Sequence, residues 1–156
     1  MASFELAHLN IAHLREPLES PSMAEFVANL DRVNAIADAA PGFVWRMKTE
    51  DEDATAATLF GERRLINISV WRDVASLREF TYHSGHLDIM RRRREWFIPV
   101  TEAYMVLWWV PSGHRPTERE AALRLDQLRK LGPSAEAFSF SQTYEAPVSP
   151  WSAASA

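Results

Sequence analysis

Hydrophobic and polar positions along the chain repeat with two periods, one typical of strands and one typical of helices. Period-two alternation over Phe4–Leu14 predicts a strand with an unusually polar face, because His8 and Asn10 fall on the same side. Apolar runs predict three further strands, at Phe43–Met47, Arg64–Trp71 and Ala103–Val110.

Three amphipathic helices are predicted between and after these strands. Ser22 begins a capping box ahead of apolar residues at helical spacing, and Pro41 ends that helix. Asp73 is a candidate cap for a second helix, which we expect to continue to Phe97. Thr117 is a candidate cap for the last helix.

The order of these elements, β-α-β-β-α-β followed by a C-terminal helix, predicts an α+β, ferredoxin-like fold with helices on one face of an antiparallel sheet. We expect residues 1–146 to form one domain and residues 147–156 to be a disordered tail. Two helices cover only one sheet face, whereas strands Arg64–Trp71 and Ala103–Val110 are apolar on both. We therefore expect a homodimer through the other sheet face, a dimeric α+β barrel, with Trp108 or Trp109 near the interface or the pocket.

Composition narrows the possible partners. The chain has 156 residues and a net charge of -4, so neither nucleic acid nor an anionic membrane surface is an expected partner. It has no cysteine, which excludes disulfides and thiolate chemistry. No apolar run reaches the ~20 residues of a membrane span, and the first residues lack the pattern of a signal peptide, so we expect a cytoplasmic protein.

The second predicted helix carries the first candidate for chemistry. Met90, Arg93 and Phe97 follow His86 at spacings that place all four on one helix face. A histidine can move a proton there, and an arginine can hold a carboxylate, phenolate or enolate. The alternative is structural, with the histidine bonded to a backbone carbonyl and the arginine paired with a nearby glutamate.

Further candidates come from the first strand and from the start of the same helix. Asn10 can hold an oxyanion, and His83 is close to helical neighbour spacing from His86. A metal would need a third ligand that spacing does not supply, so no metal site is expected. A pocket for a planar apolar ligand, such as a polyketide aromatic or a porphyrin, would be lined by His8, Phe80, Met90, Trp96, Phe97 and Trp108.

Several stretches together are similar to one bacterial family. They are LNIA (9–12), FVANLD (26–31), PGFVW (41–45), SVW (69–71), RRRREWF (91–97) and LWWVP (107–111), with His86. The sequence resembles domain-of-unknown-function family 3291, which looks like a branch of the dimeric α+β barrels typified by antibiotic-biosynthesis monooxygenases. The resemblance implies the same fold and dimer, but it implies little about chemistry.

Three functions remain open from the sequence. The first is a cofactor-independent enzyme in bacterial biosynthesis, a monooxygenase-like oxygenase or a cyclase or isomerase, that removes a proton from an aromatic or polyketide-like substrate and stabilises the anion. The second is haem binding with His86, or His83, as axial ligand, as implied by similar haem-degrading proteins. The third is a non-catalytic dimer that binds a small apolar ligand. No cofactor is expected for the first function, and haem is the possible cofactor of the second.

Overall fold

A computed structural model describes residues 3–48, 59–83 and 91–147 of the chain. His86 and Met90 lie outside these residues, as does the predicted tail from residue 148 onward.

The described residues include five strands and four α-helices. The strands are β1 (Phe4–Leu14), β2 (Phe43–Arg46), β3 (Arg64–Trp71), β4 (Phe97–Ile98) and β5 (Met105–Pro111). The helices are α1 (Ala24–Ala39), α2 (Val74–His83), α3 (Arg93–Trp96) and α4 (Glu118–Leu131), and a 3-10 turn at Pro21–Met23 precedes α1.

The strands pair into one antiparallel sheet with β1 at its centre. The order is β2-β3-β1, and the other edge of β1 pairs with β5 along its first half and with β4 at its end. This is the strand order of a ferredoxin-like fold, so the predicted fold class is confirmed.

The second predicted helix differs from expectation at its end. Phe97 does not continue a helix but begins β4, where it pairs with Leu14 of β1. Its ring packs edge-on against Phe26 of α1, with ring centroids 5.1 Å apart. Tertiary packing and strand pairing therefore override the helical spacing at this position.

The two faces of the sheet are covered by different parts of the chain. The α1/α2 face carries Leu6, His8 and Asn10 of β1, with the residues opposite them on β3 and β5. Leu6 packs there with Leu77 of α2. The α4 face carries the residues that alternate with these, beginning with Ala7 and continuing to Ile11.

The α4 face is covered by a helix of the same chain. Leu9 and Trp108 are fully buried there, in one apolar cluster with Ala121, Leu125 and Leu128 of α4. Burial of this surface releases about 25 cal/mol per Å² of apolar area, a large stabilising contribution. The expected dimer rested on an uncovered second face, and this structure shows that face covered by the C-terminal helix instead.

Chain beyond α4 returns to the α1/α2 face. Phe138 exchanges two backbone hydrogen bonds with Leu107 of β5, of 2.7 and 2.9 Å, and is fully buried. This contact is an isolated antiparallel bridge between Phe138 and Leu107. The segment that contains Phe138 therefore covers the β5 side of the α1/α2 face.

A β-bulge lies near the start of β2. Phe43 pairs with Trp71, but Trp45 pairs with the adjacent Val70, so two residues of β2 oppose one step of β3. Because side chains alternate across a strand, the extra residue reverses the faces of the residues that follow it. Trp45 thereby joins the cluster under α4, and Arg46 faces α1.

Candidate active site

A band of polar side chains crosses the centre of the α1/α2 face. Strand register places Arg46 of β2, Ser69 of β3 and His8 of β1 in one row, and Asn67 and Asn10 in the next. Adjacent strands are about 4.8 Å apart, so the first row spans roughly 10 Å. Asn67 is exposed and the other four are half-buried, so solvent reaches this part of the face.

Apolar side chains border the band. Trp71 lies one row beyond Ser69, and the ring of Phe80 from α2 stacks on it with centroids 5.2 Å apart. On the other side of β1, Leu107 lies opposite His8 and Met105 lies opposite Asn10. The polar groups therefore have aromatic and aliphatic neighbours, a composition typical of sites for small organic ligands.

Ser69 connects the imidazole of His8 to the indole of Trp71. Trp71 Nε1 donates to Ser69 Oγ over 2.9 Å, and His8 Nδ1 lies 3.2 Å from the same oxygen. A hydroxyl oxygen has two acceptor lone pairs, so Ser69 can accept from both rings. When Nδ1 carries the proton and donates, the lone pair of the imidazole is on Nε2, where a general base needs it.

The structure brings together three of the predicted site residues. His8 and Asn10 share the polar band, and Phe80 stacks at its border. His83 is exposed at the last position of α2. His86 and Met90 lie outside the described residues, so their place relative to the band stays a prediction.

The other predicted residues lie elsewhere. Arg93 is exposed on α3. Trp96 is buried in a separate cluster with Phe26 of α1, against which Phe97 also packs. Trp108 is on the α4 face, where its Nε1 donates to Glu120 over 2.9 Å. It therefore faces away from His8.

Within the arginine run, Arg92 has a structural role. It binds Glu25 of α1 and Glu95 of α3, and its guanidinium lies 4.7 Å from the ring centroid of Trp96. These hydrogen bonds lower the pKa of both glutamates and raise the pKa of Arg92. Arg94 contributes its carbonyl oxygen, which accepts from Arg15 Nε over 2.8 Å. This part of the sequence thus attaches α3 to α1 and to the end of β1.

Three residues of the band are not predicted by the sequence. Asn67 and Ser69 are spaced two apart in a strand that looks uniformly buried, and that spacing was the available signal. Arg46 gave no signal, because regular alternation would have placed it on the opposite face.

Within residues 3–48, 59–83 and 91–147, no group of three or more His, Asp or Glu side chains could hold a metal ion. In the same residues, no helix is both long and apolar enough to cross a bilayer.

The chain is thus an α+β protein of ferredoxin-like topology, with a polar band on one face of its sheet. It belongs to the family described as Domain of unknown function (DUF3291), whose model matches residues 5–154.

Two solved structures are similar to it at low identity. One is SnoaB, a cofactor-independent oxygenase from Streptomyces nogalater, at 20% identity and a TM-score of 0.43, covering 74% of this chain and 97% of that chain. The other is NE2512, a protein of unknown function from Nitrosomonas europaea, at 14% identity and a TM-score of 0.45, covering 73% and 94%. No curated protein matches the sequence.

Proposed function

We propose that this protein is an enzyme that removes a proton from a planar aromatic substrate and stabilises the resulting anion on the polar band. The observation that supports this most is the hydrogen-bonded series from Trp71 through Ser69 to His8, beside the amide of Asn10. It joins a titratable ring to a group that orients it, an arrangement typical of general bases.

His8 is the proposed base. A C–H bond next to a substrate carbonyl breaks, its proton moves to Nε2 of His8, and its electron pair moves into the enolate. Ser69 fixes the tautomer by accepting from Nδ1, as a second group does for many functional histidines. The neutral imidazole is restored when the proton is returned to the substrate or to water.

Asn10 and Asn67 are the proposed stabilisers of the anion. They lie directly opposite each other on β1 and β3, in the row beside that of His8. Their amide N–H groups can donate to the enolate oxygen, and such preorganised donors supply a large share of catalysis in many enzymes. Trp71 and Phe80 would hold the flat face of the substrate.

The substrate proposed is an aromatic or polyketide-like ketone, and the enolate can then react in two ways. Addition of molecular oxygen gives a cofactor-independent oxygenase, whereas reprotonation or ring closure gives an isomerase or cyclase. Proton removal by His8 is common to both routes.

The test is hydrogen exchange into 2-tetralone, a bicyclic aromatic ketone with acidic C–H bonds, followed by NMR in deuterated buffer. We expect the protein to accelerate exchange over buffer, and His8→Gln to remove about 100-fold or more of that acceleration. Oxygen uptake in the same sample, if it depends on His8, assigns the oxygenase route. Exchange without uptake assigns the other route.

His13→Gln is the matched control, since His13 is on the same strand but on the α4 face. Burial, with Arg64 and Arg129, lowers the pKa of His13 and so favours its neutral form, which a neutral amide replaces closely. Exchange no faster than in buffer, or an equal loss in both variants, would contradict the proposal.

Homodimerisation and a cytoplasmic location stay predictions. Because α4 covers the second sheet face, a partner approaching that side would meet the outer surface of α4. Leu123 and Leu131 are exposed there at 70% and 77%.

A further inference from the structure

Arg46 stands at the outer end of the polar band, in the same row as His8. It is a half-buried cation, with 24% of its side chain exposed, at the end of a band whose other members are His8, Ser69 and two asparagines. We propose that Arg46 recognises an acidic group on the substrate, so that the ligand is an aromatic ketone bearing a carboxylate. This inference rests on the proposed function and specifies its substrate class.

A bulge in the backbone of β2 determines the direction of this side chain. The bulge between Phe43 and Trp45 places Arg46 opposite Ser69 and on the α1/α2 face, where regular alternation would have placed it under α4. Bulges on edge strands often redirect a side chain next to a functional site. The same irregularity lets Trp45 fill the cluster under α4, so one feature serves both faces.

A neighbouring carboxylate fixes the guanidinium but leaves part of it available. Arg46 Nε and Nη2 donate to Asp38 of α1 over 2.8 and 3.3 Å. The N–H groups on Nη1 make no hydrogen bond to any described residue. A guanidinium held on one edge can offer its remaining donors to a carboxylate with little loss of side-chain freedom.

The length of the row from Arg46 to His8 limits which ligands can contact both residues. Arg46 and His8 are separated by Ser69, at a backbone span of roughly 10 Å. An elongated aromatic molecule can therefore place a carboxylate at Arg46 while its reactive carbon lies near His8.

The experiment compares 2-naphthoate with 2-naphthamide, two planar ligands that differ in charge, by isothermal titration calorimetry. We expect the wild type to prefer the carboxylate, and Arg46→Gln to weaken 2-naphthoate about tenfold while 2-naphthamide changes less than about twofold. Arg46→Lys, which keeps the charge without the planar fork, should give an intermediate loss.

Arg32→Gln is the control for net charge, because Arg32 is exposed on α1 and bonds only Asn29 among the described residues. Equal losses in Arg32→Gln and Arg46→Gln would overturn the inference, as would weakening of both ligands by Arg46→Gln. Thermal unfolding of each variant shows whether it is folded. If Arg46→Gln is not folded, the affinities of Arg46→Lys for the two ligands decide instead.

Asn67→Trp, which fills the band, should abolish binding of both ligands. If both ligands bind at the band and Arg46→Gln changes neither affinity, only the recognition role of Arg46 is rejected. No binding of either ligand, or binding that survives Asn67→Trp, would reject the band as a ligand site and the proposed function with it.

Discussion

The two faces of the central sheet are made by the same strands, yet they differ in composition and exposure. On the α4 face, Ala7, Leu9 and Trp108 are completely buried under one helix. On the α1/α2 face, His8 and Asn10 are half-buried and Asn67 is exposed. At the middle of the sheet the α4 face is therefore apolar and closed, whereas the α1/α2 face has a solvent-accessible polar band bordered by buried side chains such as Leu6 and Trp71.

The largest expected effect separates two adjacent residues of β1. Leu9→Ala should lower the free energy of unfolding by about 3 kcal/mol, because it leaves a cavity under α4. Asn10→Ala should change it by less than about 1 kcal/mol, because its side chain is half-buried and solvent can replace its contacts. Urea denaturation of both variants measures the difference, and similar losses would show that the polar band contributes as much to stability as the apolar cluster under α4.

A smaller effect is expected at Ser69, which contributes both to stability and to the proposed site. Ser69→Ala leaves the indole N–H of Trp71 without its acceptor, and Trp71 is 1% exposed. We expect a loss of about 1–2 kcal/mol in unfolding free energy and roughly a tenfold slower hydrogen exchange into 2-tetralone. Ser139→Ala removes a half-buried hydroxyl that bonds only Ser141 among the described residues, and it should change both quantities much less than Ser69→Ala does. Unchanged exchange in Ser69→Ala would remove the orienting role of this hydroxyl.

The smallest effect depends on pH and lies at the start of α2, outside both faces. Asp73 Oδ1 accepts from the hydroxyl and the backbone N–H of Ser76, at 2.7 and 2.8 Å, and these bonds lower its pKa below the ordinary value of 3.8. A carboxyl with a lowered pKa stabilises the fold above its unfolded-state pKa, and that contribution is lost as the pH falls through the folded value. The contribution should be about 1 kcal/mol or less, the size of a helix cap.

Thermal unfolding of wild type and Asp73→Asn between pH 6 and pH 2 checks this expectation. The difference between them should be constant near neutrality and shrink once the pH falls below about 4. A difference that is independent of pH would show that the carboxylate charge at Asp73 does not contribute.

Local signals in the sequence predicted the fold well. Strand order, the Asp73 cap and the Thr117 cap, which accepts from Glu120 N over 3.1 Å, are all present in the structure. The capping box at Ser22 is wrong. A 3-10 turn precedes α1, Met23 takes the cap position, and Glu25 bonds Arg92, which is 67 residues away. Local patterns cannot contain a partner so distant in sequence.

The site was only partly predictable for the same reason. The polar alternation of β1 identified His8 and Asn10, but the face on which α4 docks depends on how the chain returns over the sheet. The face on which Arg46 lies depends on one extra residue in β2. That residue reverses the alternation of the side chains after it without changing the composition of the strand.

The bridge between Phe138 and Leu107 also bears on how the protein behaves when concentrated. An open strand edge is a template for pairing with a neighbouring molecule and so for aggregation. Because Phe138 already takes both outward backbone hydrogen bonds of Leu107, a foreign strand cannot pair with β5 at that residue. The opposite margin, β2, has four residues and an irregular backbone, which is a poor template. Within the residues that the structure describes, both margins of the sheet are therefore poor templates for intermolecular strand addition.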